Sequence, residues 1–161
     1  MPLLGRAARA LCTAALVSCV AIFGVAACAA PVVIDPAPYA ADPQCASVML
    51  GIPEVVGGLS LRPTSSQATA AYGASAMITV RCGVTPPGPS TERCVAIDTP
   101  SASQDWLVTE NDTSWIAVSF GRSPATEVVI PKIRADKAVS EVLAQLSPAA
   151  SLAKPNGLTC L

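Results

Sequence analysis

The chain has 161 residues, a formal net charge of −1 and no histidine. This length suits one domain with a modest hydrophobic core, and the near-neutral charge gives no basic surface for nucleic acid. Without histidine the chain has no Ser-His-Asp or Cys-His catalytic group and no histidine-ligated zinc site. We therefore expect no metal, no cofactor and no nucleic acid partner.

The first 27 residues have the form of an export signal. Arg6 and Arg9 give a short positive region, and an apolar stretch runs over residues 10–27. This arrangement is typical of a secretory signal peptide. The alternative is an uncleaved membrane anchor, because ~18 apolar residues can just span a bilayer.

The apolar stretch ends in Val25-Ala26-Ala27-Cys28, which has the form of a bacterial lipoprotein processing site. Cleavage before Cys28 would make it the first residue of the mature protein and the carrier of a lipid. The predicted location is therefore the cell membrane, with the protein anchored by its lipid on the extracytoplasmic side.

Residues 28–41 are rich in proline, with Pro31, Pro36 and Pro38 spaced along them. Such a segment does not form a helix and tends to the extended polyproline conformation, at ~3.1 Å per residue. We interpret it as a tether, which leaves residues 42–161 as a single extracytoplasmic domain.

Four of the seven cysteines fall in this domain, and an even number in an exported chain predicts two disulfides. They are Cys45, Cys82, Cys94 and Cys160. We favour Cys82–Cys94, which would close one hairpin, and Cys45–Cys160, which would tie the start of the domain to its end. Four cysteines allow three connectivities, and the sequence does not choose among them.

The domain is predicted to begin with a short helix, because Asp42 can cap it and Pro43 suits its first turn. Alternating or β-prone residues predict strands at 59–61, 77–82, 94–99, 104–109, 114–120 and 126–130. The last three are joined by turn sequences at 110–113 and 121–124, and they predict an antiparallel meander with Val108 opposite Trp115.

The clearest helix is predicted at residues 135–146, where Val139, Val142, Leu143 and Leu146 share one face. Pro148 marks its predicted end. The predicted fold is α+β: an antiparallel sheet of about five strands, with the C-terminal helix packed on one face and a short N-terminal helix.

Alternation along the meander places Trp106 and Trp115 on one face of the sheet. The opposite face carries Leu107, Ile116, Val118 and Phe120. If that second face meets the helix, the tryptophans form an exposed platform for a glycan or an envelope protein. The alternative is that the N-terminal helix or the residues near 60 cover them. Arg122 is a candidate anion-binding residue, and a structural role in the turn is its alternative.

The favoured function is a non-enzymatic binding or accessory module of the cell envelope. One alternative is a carboxylate-dependent hydrolase acting on envelope polysaccharide, which requires a pair of acidic side chains. Its candidates are Glu54, Asp98, Asp105, Glu110 and Asp112. The other alternative is a small-ligand carrier, which requires a sizeable apolar cavity.

A series of short motifs along residues 42–146 carries a family resemblance. They are Cys45 with Ile52-Pro53, Tyr72-Gly73, Arg81-Cys82-Gly83, Asp105-Trp106, Trp115, Gly121-Arg122-Ser123-Pro124 and Val128-Val129-Ile130-Pro131. In this order they resemble a family of small exported proteins of unknown function from high-GC Gram-positive bacteria, often with lipoprotein signals. The resemblance implies placement in the envelope and a single disulfide-bearing domain, and it supplies no activity.

Overall fold

The computed structural model describes residues 30–134 and 138–161. The predicted signal peptide and Cys28 lie outside these residues, so cleavage and lipidation stay predictions. Within the described part of the chain, no helix is both long enough and apolar enough to cross a bilayer.

The dominant element is an antiparallel sheet of eight strands, in the order β1-β2-β3-β4-β9-β7-β6-β5. The described residues form ten strands. They are β1 (Val55–Val56), β2 (Leu59–Arg62), β3 (Thr69–Tyr72), β4 (Ile78–Val84), β5 (Arg93–Thr99), β6 (Ala102–Glu110), β7 (Ser114–Phe120), β8 (Arg122–Ser123), β9 (Ala125–Pro131) and β10 (Lys154–Pro155). Strands β8 and β10 form a separate pair.

The prediction of about five strands was therefore too low. Two of the additional strands gave no alternating signal: β1 has two residues, and all four residues of β3 are buried. A strand buried on both faces does not alternate, so its sequence cannot be told from other buried segments.

In the part of the chain that the structure describes, two α-helices accompany the sheet, α1 (Pro43–Gly51) and α2 (Val139–Ala150). The predicted cap of α1 is confirmed, because the Gln44 N–H donates to Asp42 Oδ1 at 2.8 Å. The predicted end of α2 was wrong: Pro148 lies inside the helix, which continues to Ala150. A proline in a helix removes one N–H and crowds the carbonyl four residues earlier. Only Ala149 and Ala150 follow Pro148 in α2, so this disruption is confined to the last turn.

The meander of β6, β7 and β9 is confirmed, but its register differs from the prediction. Trp115 pairs with Glu110, and Val108 pairs with Ala117. The shift is two residues along β6, and an even shift leaves every side chain on its predicted side of the strand.

The described cysteines form two disulfides, Cys45–Cys82 and Cys94–Cys160. The favoured pairing was wrong because Cys82 is in β4 and Cys94 is in β5, with β9, β7 and β6 between them. Four steps between neighbouring strands span ~19 Å, which no single disulfide can bridge.

The proline-rich segment packs against the domain over much of its length. The Val32 N–H donates to the Pro63 carbonyl at 2.9 Å, and the Tyr39 N–H donates to the Gly83 carbonyl at 2.8 Å. Ala37 and Ala40 are buried. Backbone bonds of this kind do not depend on side-chain type, so the composition of the segment did not predict them.

Candidate functional site

Trp106 belongs to the core, and its predicted place on an exposed binding face was wrong. The side chain is completely buried, and its Nε1–H donates to Ser147 Oγ of α2 at 3.0 Å. The Ser147 hydroxyl in turn donates to the Leu143 carbonyl at 2.8 Å. The helix therefore lies on the tryptophan side of the sheet, and Leu107 and Phe120 point to the other side.

Trp115 shares this side of the sheet and is half-buried. The Lys132 ammonium lies 5.9 Å from the centre of its ring and 3.0 Å from Glu110 Oε2. Trp115 also lines a shallow pocket of about 170 Å³ beside the start of α2, together with Arg93 and Val95 of β5. Of the two tryptophans, Trp115 is therefore the one that a partner can reach.

Arg122 holds the C-terminal segment in place. Its Nε–H donates to Gln104 Oε1 at 2.8 Å, and an Nη1–H donates to the Ala153 carbonyl at 3.2 Å. The amide of the buried Gln104 donates to the Phe120 carbonyl at 3.0 Å. These contacts support the structural alternative for Arg122 over anion binding.

The C-terminal segment crosses the sheet on the face opposite α2. The Cys160 N–H donates to Asp105 Oδ2 at 2.7 Å, and the Asn156 N–H donates to the Gly121 carbonyl at 2.9 Å. Between this segment and residues 89–92 lies a groove of about 530 Å³. Its lining is Pro89, Ser90, Thr91, Glu92, Cys94, Leu107, Phe120, Gly157, Leu158, Thr159, Cys160 and Leu161.

Strand β5 forms one edge of the sheet and is seven residues long. Among the described residues it pairs only with β6, so the backbone N–H and C=O groups on its outer side make no ladder. Arg93, Ala96 and Asp98 are exposed along it. A free edge of this length is a template for one more strand.

The groove beside the C-terminal segment and the shallow pocket beside Trp115 both reach this edge, one on each face of the sheet. Cys94 of β5 lines the larger groove, and Arg93 and Val95 line the smaller pocket. Successive side chains of an extended chain point to opposite faces. A strand added to β5 would thus direct its side chains alternately toward these two cavities.

The acidic candidates for hydrolysis are dispersed. Asp98 accepts from Ser103 Oγ at 2.6 Å, Asp105 holds the Cys160 N–H, and Glu110 pairs with Lys132. The two cavities at β5 and two more in the described residues are each lined by at most one Asp or Glu. The described residues also contain no group of three side chains suited to a metal.

The apolar cavity that a small-ligand carrier would need between helix and sheet is filled with side chains. Val142, Leu143 and Leu146 of α2 pack in one cluster with Trp106 and Val128, and all five are buried. In the described residues, space for a ligand lies instead at the surface, on both sides of β5 and, in a cavity of about 460 Å³, beside β2 and β3.

Tyr72 is a buried titratable residue of β3, in the half of the sheet that ends at β1. Its Oη–H donates to the Pro53 carbonyl at 2.9 Å. Burial raises the pKa of this phenol above its ordinary value, and the nearby charge of Glu54 raises it further. The phenol is therefore a structural donor rather than a base.

Sequence reasoning located β5 as a strand but gave no sign that it is an edge. Edge status depends on the order of the strands, and the order joins β4 to β9 rather than to β5. The hydrophobic pattern of one strand contains no information about its neighbours.

A family model described as "Protein of unknown function (DUF3515)" matches residues 8–155. Neither a curated protein nor a solved structure matches the chain.

Proposed function

The chain belongs to the DUF3515 family of unknown function, and we propose that it is a lipid-anchored binding module of the cell envelope. In this proposal the module is not an enzyme, and it captures an extended segment of a partner protein along β5. The observation that carries the proposal is the open seven-residue edge of this strand.

Strand addition suits this edge because the backbone supplies the affinity and the flanking cavities supply the specificity. On the face opposite α2 the docked segment meets Leu107, Phe120 and Leu161. On the helix face it meets Val95 and Trp115. The preferred ligand is therefore an extended peptide with apolar side chains at alternate positions.

The charged residues at the two ends of β5 favour one orientation of the bound peptide. Arg93 is exposed at the start of the strand and Asp98 near its end. A peptide that pairs antiparallel to β5 is favoured when its last residues are acidic and its first residues are basic. Exposed pairs of this kind contribute little affinity, but they select the orientation.

The location rests on two supports. Two disulfides in one small domain are typical of proteins that mature outside the cytoplasm. The motif Val25-Ala26-Ala27-Cys28 supplies the proposed lipidation site. The lipid on Cys28 would hold the domain on the extracytoplasmic side of the membrane.

The anchor is tested by intact-protein mass spectrometry of the membrane fraction. We expect the mass of residues 28–161 plus a diacylglycerol-type adduct, and we expect Cys28→Ala to remove the adduct. A full-length chain in the membrane would instead indicate an uncleaved anchor, and an unlipidated mature chain would indicate secretion.

Binding at β5 is tested with peptides selected from a random library on the detergent-solubilised protein. Ala96 is exposed in the middle of β5, and Ala96→Lys places a long charged side chain beside the incoming strand. We expect this variant to weaken peptide binding roughly tenfold, about 1.4 kcal/mol. The selected peptides should also slow hydrogen exchange of the β5 amides.

The matched control is Ala46→Lys, the same change at an exposed position of α1. It should bind the selected peptides as the unchanged protein does. Equal weakening by both variants, or full binding by Ala96→Lys, would show that the peptides dock elsewhere and would overturn the assignment of β5.

A further inference from the structure

The N-terminal segment is fixed to one side of the sheet from Val32 onward. The Val32 N–H donates to the Pro63 carbonyl, and the Val32 carbonyl accepts from the Ser65 N–H, both at 2.9 Å. The Ile34 N–H donates to Ser65 Oγ at 3.4 Å. These bonds form a parallel bridge between Val32 and Thr64 in the loop that joins β2 to β3.

A second attachment lies seven residues further along. The Tyr39 N–H donates to the Gly83 carbonyl, and the backbones touch so closely that a Cβ on Gly83 would lie 2.4 Å from the Tyr39 carbonyl carbon. Ala40 is buried beside this contact. With both ends of the segment attached, residues 32–40 add no height between the membrane and the domain.

This attachment shortens the free link to the membrane, provided that Cys28 carries the lipid as proposed above. Four residues from Cys28 to Val32 reach at most ~14 Å when fully extended. The whole segment 28–41, free and in the polyproline conformation, would reach ~43 Å. The bond from Val32 to Pro63 therefore keeps the β2–β3 loop close to the bilayer.

We infer that the domain rests on the phospholipid surface through the residues around the Val32–Thr64 bridge, and that β5 lies on the side away from the membrane. Along the sheet, six steps between neighbouring strands separate β2 from β5, a path of ~29 Å. In the other direction β1 and then α2, which contacts both β1 and β5, lie between them. The open edge of β5 is thus presented to partners outside the membrane, while the residues around the Val32–Thr64 bridge face lipid.

The chemistry of the attached segment fits a lipid surface. Residues 29–34 carry no charged side chain, so nothing in them opposes contact with the headgroup region. Val33 is exposed over 83% of its surface, next to the Val32–Thr64 bridge. An exposed apolar side chain beside a lipidated residue can enter the boundary between headgroups and acyl chains.

The experiment attaches the chain 28–161 to a phospholipid nanodisc through the Cys28 thiol and a maleimide lipid. The other four cysteines of this chain are in disulfides, so the attachment is selective. A gadolinium-chelating lipid in the disc then broadens the NMR signals of nearby amides. We expect the amide signals of Val33 and Ser65 to be lost, and those of Ala96 and Asp98 to keep their intensity.

The decisive variant carries a Gly/Ser spacer of about twelve residues between Ala30 and Pro31, which adds a mean span of ~19 Å. We expect the Val33 and Ser65 signals to return in this variant. Equal broadening at Ser65 and Ala96, stronger broadening at Ala96, or no effect of the spacer would overturn the inference.

The chemical attachment separates this inference from the proposed function. A uniform broadening pattern would overturn the orientation while leaving lipidation and peptide binding at β5 intact. The absence of lipid on Cys28 in the native membrane would overturn the anchor, and with it the orientation in the cell. Loss of peptide binding in Ala96→Lys bears on β5 alone.

Discussion

The two edges of the main sheet are built in opposite ways. At one edge β1 has two residues, and the N–H of the adjoining Gly57 donates to Gln145 Oε1 of α2 at 2.8 Å. The neighbouring β2–β3 loop is covered by the bridge from Val32 to Thr64. At the other edge, β5 has seven residues and packs against α2, but among the described residues no strand pairs with its outer side.

This difference indicates where the fold tolerates an unpaired backbone. Short strands and covering segments are the usual means of preventing unwanted strand pairing. The β1 edge has both, whereas among the described residues β5 is neither short nor joined by a bridge or strand on its outer side, although it contains the β-prone residues Val95, Ile97 and Thr99. An edge left open in this way is a liability unless a partner occupies it.

The largest expected effect on stability comes from detaching residues 32–40 from the sheet. Gly83→Ala places a methyl group against the backbone of Tyr39, at a residue whose φ of +100° already disfavours a side chain. We expect a loss of about 3 kcal/mol in the free energy of unfolding, measured by urea denaturation. Gly88→Ala is the control, since nothing lies within 4 Å of its Cβ, and a loss of equal size there would contradict the account.

A smaller effect is expected where α2 covers the β1 edge. Gln145→Leu removes the acceptor of the Gly57 N–H and leaves a buried donor unpaired. We expect the free energy of unfolding to fall by about 1–2 kcal/mol. Ser140→Ala, at an exposed position of the same helix, should change it little. If both variants unfold at the same urea concentration, the covered edge does not depend on this bond.

Tyr72 is expected to make the stability of the fold decrease at alkaline pH. Because its folded pKa is raised, the unfolded chain releases the proton first, and stability falls as the pH rises above about 10. Tyr72→Phe should lower stability by about 1 kcal/mol at neutral pH and flatten its decline above pH 10. Tyr39→Phe, at an exposed tyrosine, is the control and should leave the decline as steep as before.

The smallest expected effect on stability lies at the open edge. Ala96→Lys should change the free energy of unfolding by no more than about 0.5 kcal/mol, because the side chain is exposed and no described strand pairs with the outer side of β5. Thermal unfolding measured beside Ala46→Lys tests this expectation. A loss well above that of the control would mean that β5 is covered after all.

Local features of the fold were predictable from the sequence. The cap of α1 at Asp42 and the meander of β6, β7 and β9 follow from side-chain periodicity and turn residues, which act over a few residues. Four domain cysteines predicted two disulfides for the same kind of reason: only their number and the exported context were needed.

Long-range arrangement was not predictable, and the proposed binding site depends on it. Strand β6 carries apolar side chains on both faces, with Trp106 toward α2 and Leu107 toward the C-terminal segment, so alternation alone did not show which face the helix covers. The pairing of Cys94 with Cys160 and the edge position of β5 likewise require the strand order.

The separation of the two tryptophans gives the protein two optical reporters. Emission from Trp106, buried and bonded to Ser147, should shift to the red only when the core unfolds. Trp115, half-buried in the pocket beside β5, should respond to a docked peptide while the fold is intact. Replacing each tryptophan by phenylalanine in turn would thus yield one protein whose fluorescence follows folding and another whose fluorescence follows binding.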